Sequence, residues 1–438
     1  MAMDETFLSR RRAVTAVVAA MVLLVGGAGL VLFARHDGDS PTTVNAAAAF
    51  EFAKCMRDHG VDDWPDPTVG ADGGISLGSA SGASNAQVQT ARTACQHLLD
   101  MGTPSVAART AEPADVDPAA AGWQRIEPGG DCQCADGSQY NLYTRTANTK
   151  KVVLYLDGGG ACWSAKTCAP SSGNKYQTKV EAPSGQGVFD FTNQRNPFAG
   201  YSFVYVPYCT ADLHIGNATT KYAPGLTVHH KGYVNGTAAL DYLAKTFPNA
   251  TDVVVIGASA GSVTAPLYAG LASDRLPDAH ITAIADSSGS YPDVPQLNNL
   301  LTGSAWQAGK AIPDWPGNAG PTAGKRSMPG LFILSGRHDP DIVFARYDHA
   351  HDEDQKFHLA LTGVRGDVLA LIHANEKQIE AAGVNLHSFT APGSEHVIVD
   401  DDRFFTETVN GVALVDWVTK LLERQRVDDV QCTQCAGG

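Results

Sequence analysis

The chain has 438 residues, 44 % of them hydrophobic, which exceeds one average domain and is ample for a sizeable core. Its formal net charge of −14 argues against sequence-independent binding to nucleic acid, because phosphate neutralisation needs clustered Lys and Arg. No solenoid or propeller period and no heptad array is visible, so repeat architectures are excluded as well.

Residues 1–12 end in Arg10, Arg11 and Arg12, and an uncharged stretch follows from Ala13 to Ala34. At about 1.5 Å per residue it spans roughly 33 Å, enough for the hydrocarbon core of a bilayer. The arginines precede the stretch and only Arg35 lies just after it. The positive-inside bias therefore predicts a cytoplasmic 1–12, a transmembrane anchor at 13–34 and an extracytoplasmic remainder held at the cell membrane. The competing expectation is secretion after signal cleavage, since Ser9-Arg10-Arg11 hints at a twin-arginine signal. The length of the apolar run favours the anchor. Nine cysteines in an exported chain then predict a disulfide framework with one thiol left over. Cys432 and Cys435 form a C-x-x-C, but no second C-x-x-C completes a zinc site.

A polar linker, 35–45, leads into a segment of different character, 46–101. AAAAFEFAKCMRDHGV and AQVQTARTACQHLLDMG carry helical patterns on either side of a Pro/Gly/Ser loop, with one cysteine in each. A helical hairpin stapled by Cys55 and Cys95 is expected. The piece is similar to small C-M-R-x-x-G-V modules of exported actinobacterial proteins, and it carries no catalytic set. An Ala/Pro-rich linker, 102–122, separates it from the main body, 123–438.

In the main body short apolar runs alternate with helical stretches. VVLYLD (152–157), FVYVP (203–207), VVVIG (253–257), ITAIAD (281–286) and LFILSG (331–336) read as buried parallel strands. TAALDYLAKTF (237–247), SVTAPLYAGLA (262–272) and GVALVDWVTKLLERQR (411–426) have helical spacing. This alternation predicts an α/β architecture, a mostly parallel, doubly wound sheet covered on both faces.

Along that order the chemistry-bearing residues fall after strand ends. The consecutive glycines of Leu156-Asp157-Gly158-Gly159-Gly160-Ala161-Cys162-Trp163 let backbone amides approach an anionic oxygen, and Cys162 and Cys168 are close enough to staple the loop. VVVIG runs into Gly257-Ala258-Ser259-Ala260-Gly261 and a helix, the strand-turn-helix context that gives G-x-S-x-G its meaning. Side chains at Gly257 or Gly261 would clash with the neighbouring strand and helix. A serine nucleophile needs a base and an orienting acid. Asp339, after LFILSG, and His396, after LHSFTAPG, follow Ser259 in the order Ser, Asp, His. Asp286 is a rival acid, and Asp341 is expected to cap the IVFARYDHA segment instead. Partners for Cys132, Cys134, Cys209, Cys432 and Cys435 stay open.

LDGGGACWSAKTC (156–168), VPYCTADLHIGN (206–217), KGYVNGTAAL (231–240), GASAGS (257–262) and ADSSGS (285–290) together resemble the pectin acetylesterase and Notum family of α/β-hydrolases. The resemblance covers most of 123–417. It implies an α/β-hydrolase fold and removal of O-linked acyl groups: acetyl from pectin in some members, a fatty acyl from a protein serine in others. By similarity Ser259, Asp339 and His396 take the triad positions. The amides of Gly159, Gly160 and Ala260 take the oxyanion hole; Trp163 is a candidate for the substrate pocket, and Asp212 and His214 are expected in a pocket-lining or structural role. Two positions depart from the family: Ser262 stands where another glycine is common, and Gly160 where some members carry a bulky aromatic.

The expected activity is therefore a carboxylic ester hydrolase using an acyl-enzyme, acting on an acylated substrate such as an acetylated polysaccharide, with no metal or organic cofactor. The enzymatic alternative is a zinc-dependent deacetylase built on Asp212, His214, His229 and His230. The non-enzymatic alternative is a cell-surface binding protein on the same fold.

Overall fold

Along the apolar run 152–156 successive side chains enter opposite cores, as the two-residue period of a strand requires. Val152, Leu154 and Leu156 join one hydrophobic cluster, while Val153 and Tyr155 join another on the far side. Val253 and Val255 against Val254, Ile256 and Ala258 repeat the pattern. A strand buried on both faces reads as continuous apolar sequence, which is why these runs were legible. The computed structural model describes residues 46–69, 75–76, 85–95, 122–172, 174, 176–315 and 326–435. The expected anchor at 13–34, the linker 35–45 and all but the last residue of the linker 102–122 lie outside the described residues. Among the described residues no helix is long and apolar enough to cross a membrane.

Helices Ala46–Asp58 and Asn85–Cys95 form the expected stapled hairpin, joined by the Cys55–Cys95 disulfide. Phe52, Met56, Val61 and Trp64 bury a small core with Ala91 and Cys95. Two short strands, β1 (Thr68–Val69) and β2 (Ile75–Ser76), pair antiparallel in the connection.

In the main body the strands are β3 (Gln124–Ile126), β4 (Leu142–Arg145), β5 (Asn148–Leu156), β6 (Tyr201–Val206), the hairpin β7 (Ala218–Ala223) and β8 (Leu226–His230), β9 (Asp252–Ala258), β10 (His280–Asp286), β11 (Val343–His349), β12 (Leu386–Ala391), the short pair β13 (Thr408–Val409) and β14 (Val412–Ala413), and β15 (Val430–Gln431). Nine of them make one sheet in the order β15-β12-β11-β10-β9-β5-β6-β4-β3. All pairings from β15 to β6 are parallel, and β4 and β3 close one edge antiparallel. Beyond β5 the chain steps outward to β6, then returns to pair β9 on the other side of β5. The crevice outside the carboxyl ends of β5 and β9 is thus a topological switch point, where open α/β sheets gather their chemistry.

One expected strand is a helix. LFILSG lies within the helix Met328–His338, started by Ser327, whose hydroxyl accepts from the Gly330 amide at 3.1 Å, with Pro329 in the first turn. Beyond its fully buried first turn, Leu331, Phe332, Ser335 and Gly336 are buried at a helical period that a six-residue window conceals. The strand is the segment after it, β11, where Arg346 and Asp348 interrupt the apolar run and pair with each other at 3.0 Å inside the protein. Asp341 therefore caps no helix; its amide donates to the Asp339 carboxylate at 3.0 Å.

Candidate active site

Ser259 occupies the turn between β9 and the helix Ala260–Arg275, with φ 50° and ψ −112°. This is strained backbone for a residue with a side chain. The surroundings impose it. The Ser259 amide donates to the Asp286 carbonyl at the end of β10, 2.9 Å away. A Cβ at Gly257 would fall 2.4 Å from the Gly261 carbonyl oxygen, and one at Gly261 2.1 Å from that of Leu156. Only glycine lets strand, turn and helix come this close. Ser262, where the family often has glycine, donates its hydroxyl to the Ser259 carbonyl at 2.7 Å.

His396 follows β12, and its Nε2 lies 2.7 Å from Ser259 Oγ. Its loop is held from β10. Asp286 Oδ2 accepts from the amides of Ile398 and Val399 at 2.8 and 2.9 Å, and Ser287 Oγ accepts from the Val397 amide at 2.9 Å. Asp286, weighed as a rival acid, is instead the anchor of the histidine loop. Burial pushes its carboxyl up to about 7 although these amide donors oppose the rise.

The acid that meets His396 is Asp352. Its Oδ2 lies 2.7 Å from Nδ1, and the residue is fully buried. The expectation that Asp339 fills this place is corrected by the topology. Asp339 ends the helix Met328–His338, before β11, whereas Ser259 and His396 lie beyond the carboxyl ends of their strands. A strand of seven residues separates the two ends of β11 by about 20 Å. Asp352 is reached only after that strand is traversed. It also caps the helix Glu353–Leu361, accepting from the Gln355 amide at 2.9 Å. Burial disfavours a charged His396, but the Asp352 carboxylate, by charge and by hydrogen bond, outweighs it and raises the imidazole to about 9.

The glycine loop lies against the nucleophile: a Cβ at Gly158 would be 2.8 Å from that of Ser259. The Cys162–Cys168 disulfide staples this loop as expected, and Trp306 Nε1 donates to the Cys162 carbonyl at 2.8 Å. The amides of Gly159, Gly160 and Ala260 donate to no protein acceptor among the described residues. Two further disulfides are Cys134–Cys209 and Cys432–Cys435, and Cys132 is the free thiol.

Of the three residues expected at a pocket, only half-buried Trp163 is reachable by solvent to any extent. Asp212 and His214 are buried; His214 braces the start of the glycine loop, and Asp212 ties its own turn to the helix that begins at Gly232. Asp212 accepts from Thr210 Oγ1 at 2.6 Å and the Gly232 amide at 2.7 Å. His214 Nε2 lies 2.8 Å from the Asp157 carbonyl oxygen, and burial depresses its basicity to about 4. The zinc set is not assembled either. His230 bonds the Thr210 carbonyl through one ring nitrogen and Tyr222 through the other, and His229 faces Thr219. With these atoms already engaged, the four residues form no ligand group among the described residues.

This fold is that of the α/β-hydrolases. Residues 127–304 match the Pectinacetylesterase family model. The chain is 31 % identical over 147 residues to the palmitoleoyl-protein carboxylesterase NOTUM of Schmidtea mediterranea, covering 30 % of this chain and 26 % of that one. It is 24 % identical over 176 residues to pectin acetylesterase 5 of Arabidopsis thaliana, covering 37 % and 40 % respectively. These matches thus span less than half the length of either relative. The solved structure of the Wnt deacylase Notum from Drosophila superposes with a TM-score of 0.51 at 16 % identity, covering 72 % of this chain and 100 % of that one, a likeness of fold. Residues 127–304 are thus similar to the pectin acetylesterase family, and the chain shares local similarity with Notum and plant pectin acetylesterase sequences.

Proposed function

We propose that the chain is a serine carboxylic ester hydrolase that removes O-linked acyl groups, acetyl on a polysaccharide in the first instance. The observation that carries this reading is the continuous bond from Ser259 Oγ through His396 to Asp352, with both links at 2.7 Å. Ser259 attacks the ester carbonyl, His396 takes the hydroxyl proton and returns it to the departing alcohol, and Asp352 orients the ring and balances its charge. The amides of Gly159, Gly160 and Ala260 receive the oxyanion. Water then repeats the sequence on the acyl-enzyme. The family supplies two acyl classes by name, palmitoleoyl on a protein and acetyl on pectin. Four disulfides among the described residues fit an exported protein.

A fluorophosphonate probe tests the proposal. Wild type should be labelled at Ser259 and lose turnover of a nitrophenyl acetate, while Ser259→Ala should take no label and show almost no turnover with an unchanged fold. A chelator should leave the rate unchanged. Full hydrolysis by the alanine variant, or loss of it to the chelator, would remove the serine mechanism and favour the metal-dependent alternative.

A further inference from the structure

We propose that Gln355 is a positioning residue for this site, clamping both oxygens of the Asp352 carboxylate so that it meets His396 in one orientation. The inference rests on the esterase reading. Gln355 is fully buried in the first turn of the helix that Asp352 caps. Its backbone amide donates to Asp352 Oδ1 at 2.9 Å, and its side-chain Nε2 donates to Asp352 Oδ2 at 3.1 Å. One residue thus grips both carboxylate oxygens, and Oδ2 is shared between Gln355 and His396.

The orientation of the side-chain amide follows from chemistry. The atom facing Ser290 receives the Ser290 amide at 2.8 Å and the Ser290 hydroxyl at 2.7 Å. A backbone N–H can only donate, so that atom is the oxygen, and the NH2 group is forced toward the carboxylates of Asp352 and Asp348. Asp348 Oδ1 accepts from it at 2.9 Å. Asp348 is fixed in turn by the Gly289 amide at 2.7 Å and by Arg346 at 3.0 Å. Asn375 then ties the Gly289 carbonyl to the helix Val368–Glu380 at 2.8 Å. The clamp is therefore rooted in β11, the loop after β10 and two helices. An acid held only by the imidazole could turn about its own side-chain bonds, and a shift of about 1 Å in a reacting geometry costs on the order of 100-fold in rate.

The clamp also carries an electrostatic consequence. An N–H donor on Oδ2 withdraws part of the charge that holds the proton on His396. The other charged or titratable groups facing this region are Arg346, Asp348 and His349 from β11, Asp354 and His358 from the capped helix, Asp286 from β10, Tyr291 from the loop after it, Glu376 from the helix Val368–Glu380, and Glu395 and Arg403 from the chain around and after His396. None of them donates to Asp352 Oδ2, so the loss of the Gln355 donor should be felt at His396 directly.

The test compares full-length wild type, Gln355→Leu and Gln355→Glu on a nitrophenyl acetate, with active sites counted by fluorophosphonate titration. For Gln355→Leu, kcat per titrated site should fall about 100-fold with KM nearly unchanged, and the rising limb of the pH profile should move to higher pH. Gln355→Glu keeps the shape of the side chain and guards against misfolding in the leucine variant. Its protonated carboxyl can still donate to Asp352, so its rate at matched pH should stay close to wild type at the acid end of the profile, and the ratio to wild type should fall once that carboxyl ionises beside two others. A leucine variant with wild-type kcat per site and an unmoved limb would overturn the inference, as would a glutamate variant whose ratio to wild type did not fall with rising pH. Failure of the esterase reading is distinguishable, because wild type itself would then not titrate.

Discussion

Each transfer in the proposed relay depends on a residue whose own position is over-determined. Ser259 is pinned by the Asp286 carbonyl, His396 by the Asp286 and Ser287 side chains, and Asp352 by Gln355. The consequence for pH is direct. With His396 raised to about 9, the imidazole is charged and unable to accept the serine proton below that pH, so kcat/KM should climb through neutrality toward the alkaline range. Asp352→Asn removes the charge that raises it and leaves burial, which lowers it; the limb should shift to lower pH while the maximal rate falls by about 10⁴. Asp339→Asn, at the opposite end of β11, should keep wild-type kcat and pH profile. Steady-state profiles of the two variants decide between the acids, and a severe loss in Asp339→Asn alone would return the role to the residue that sequence order favours.

At the scale of elements, strands of mostly apolar residues were legible and the one interrupted by buried charges was not. VVLYLD, VVVIG and ITAIAD became β5, β9 and β10, and the elbow with its glycines followed from them. β11 escaped because Arg346 and Asp348 look like surface residues until their burial and mutual pairing are seen. Assigning LFILSG as the strand then moved the expected acid to the wrong end of the sheet. A signal for Asp352 existed: an aspartate followed by Glu353 and Asp354 is a helix start, and here it comes directly after a strand. The glycine loop offers a test at this scale. Replacing Cys162 and Cys168 by serine opens a short loop whose closure contributes about 2 kcal/mol on entropic grounds. Denaturant unfolding should register a loss of that order. Because the Trp306 bond to the Cys162 carbonyl remains, the loop should stay near Ser259, and kcat should fall about 10-fold, more than KM rises. A stability loss with unchanged kcat would show that the disulfide does not help to place the oxyanion donors.

For the whole molecule, charge bears on which acylated polymers reach the switch-point crevice. The chain carries a net −14, and the site adds its own negative field: Asp354 and Asp286 act on His396, and Asp400 and Glu181 act on Asp157 at the base of the glycine loop. The nearby cations are partly spent, since Arg403 pairs with Glu395 and Asp401, and Lys356 with Glu353. A polyanion approaching this face is repelled over roughly the Debye length, about 30 Å at 0.01 M salt and about 8 Å at 0.15 M. With acetylated, demethylated polygalacturonate, kcat/KM should therefore rise several-fold when salt is raised from about 0.01 to about 0.15 M. With acetylated xylan of low charge, or with a nitrophenyl acetate, it should hardly change, because no long-range repulsion is there to be screened. Initial rates at matched pH across that salt range are the measurement. A polygalacturonate rate that instead fell with salt would mean that the polymer is steered in by a basic track on the surface, and the acidic surroundings of His396 and Asp157 would not govern encounter.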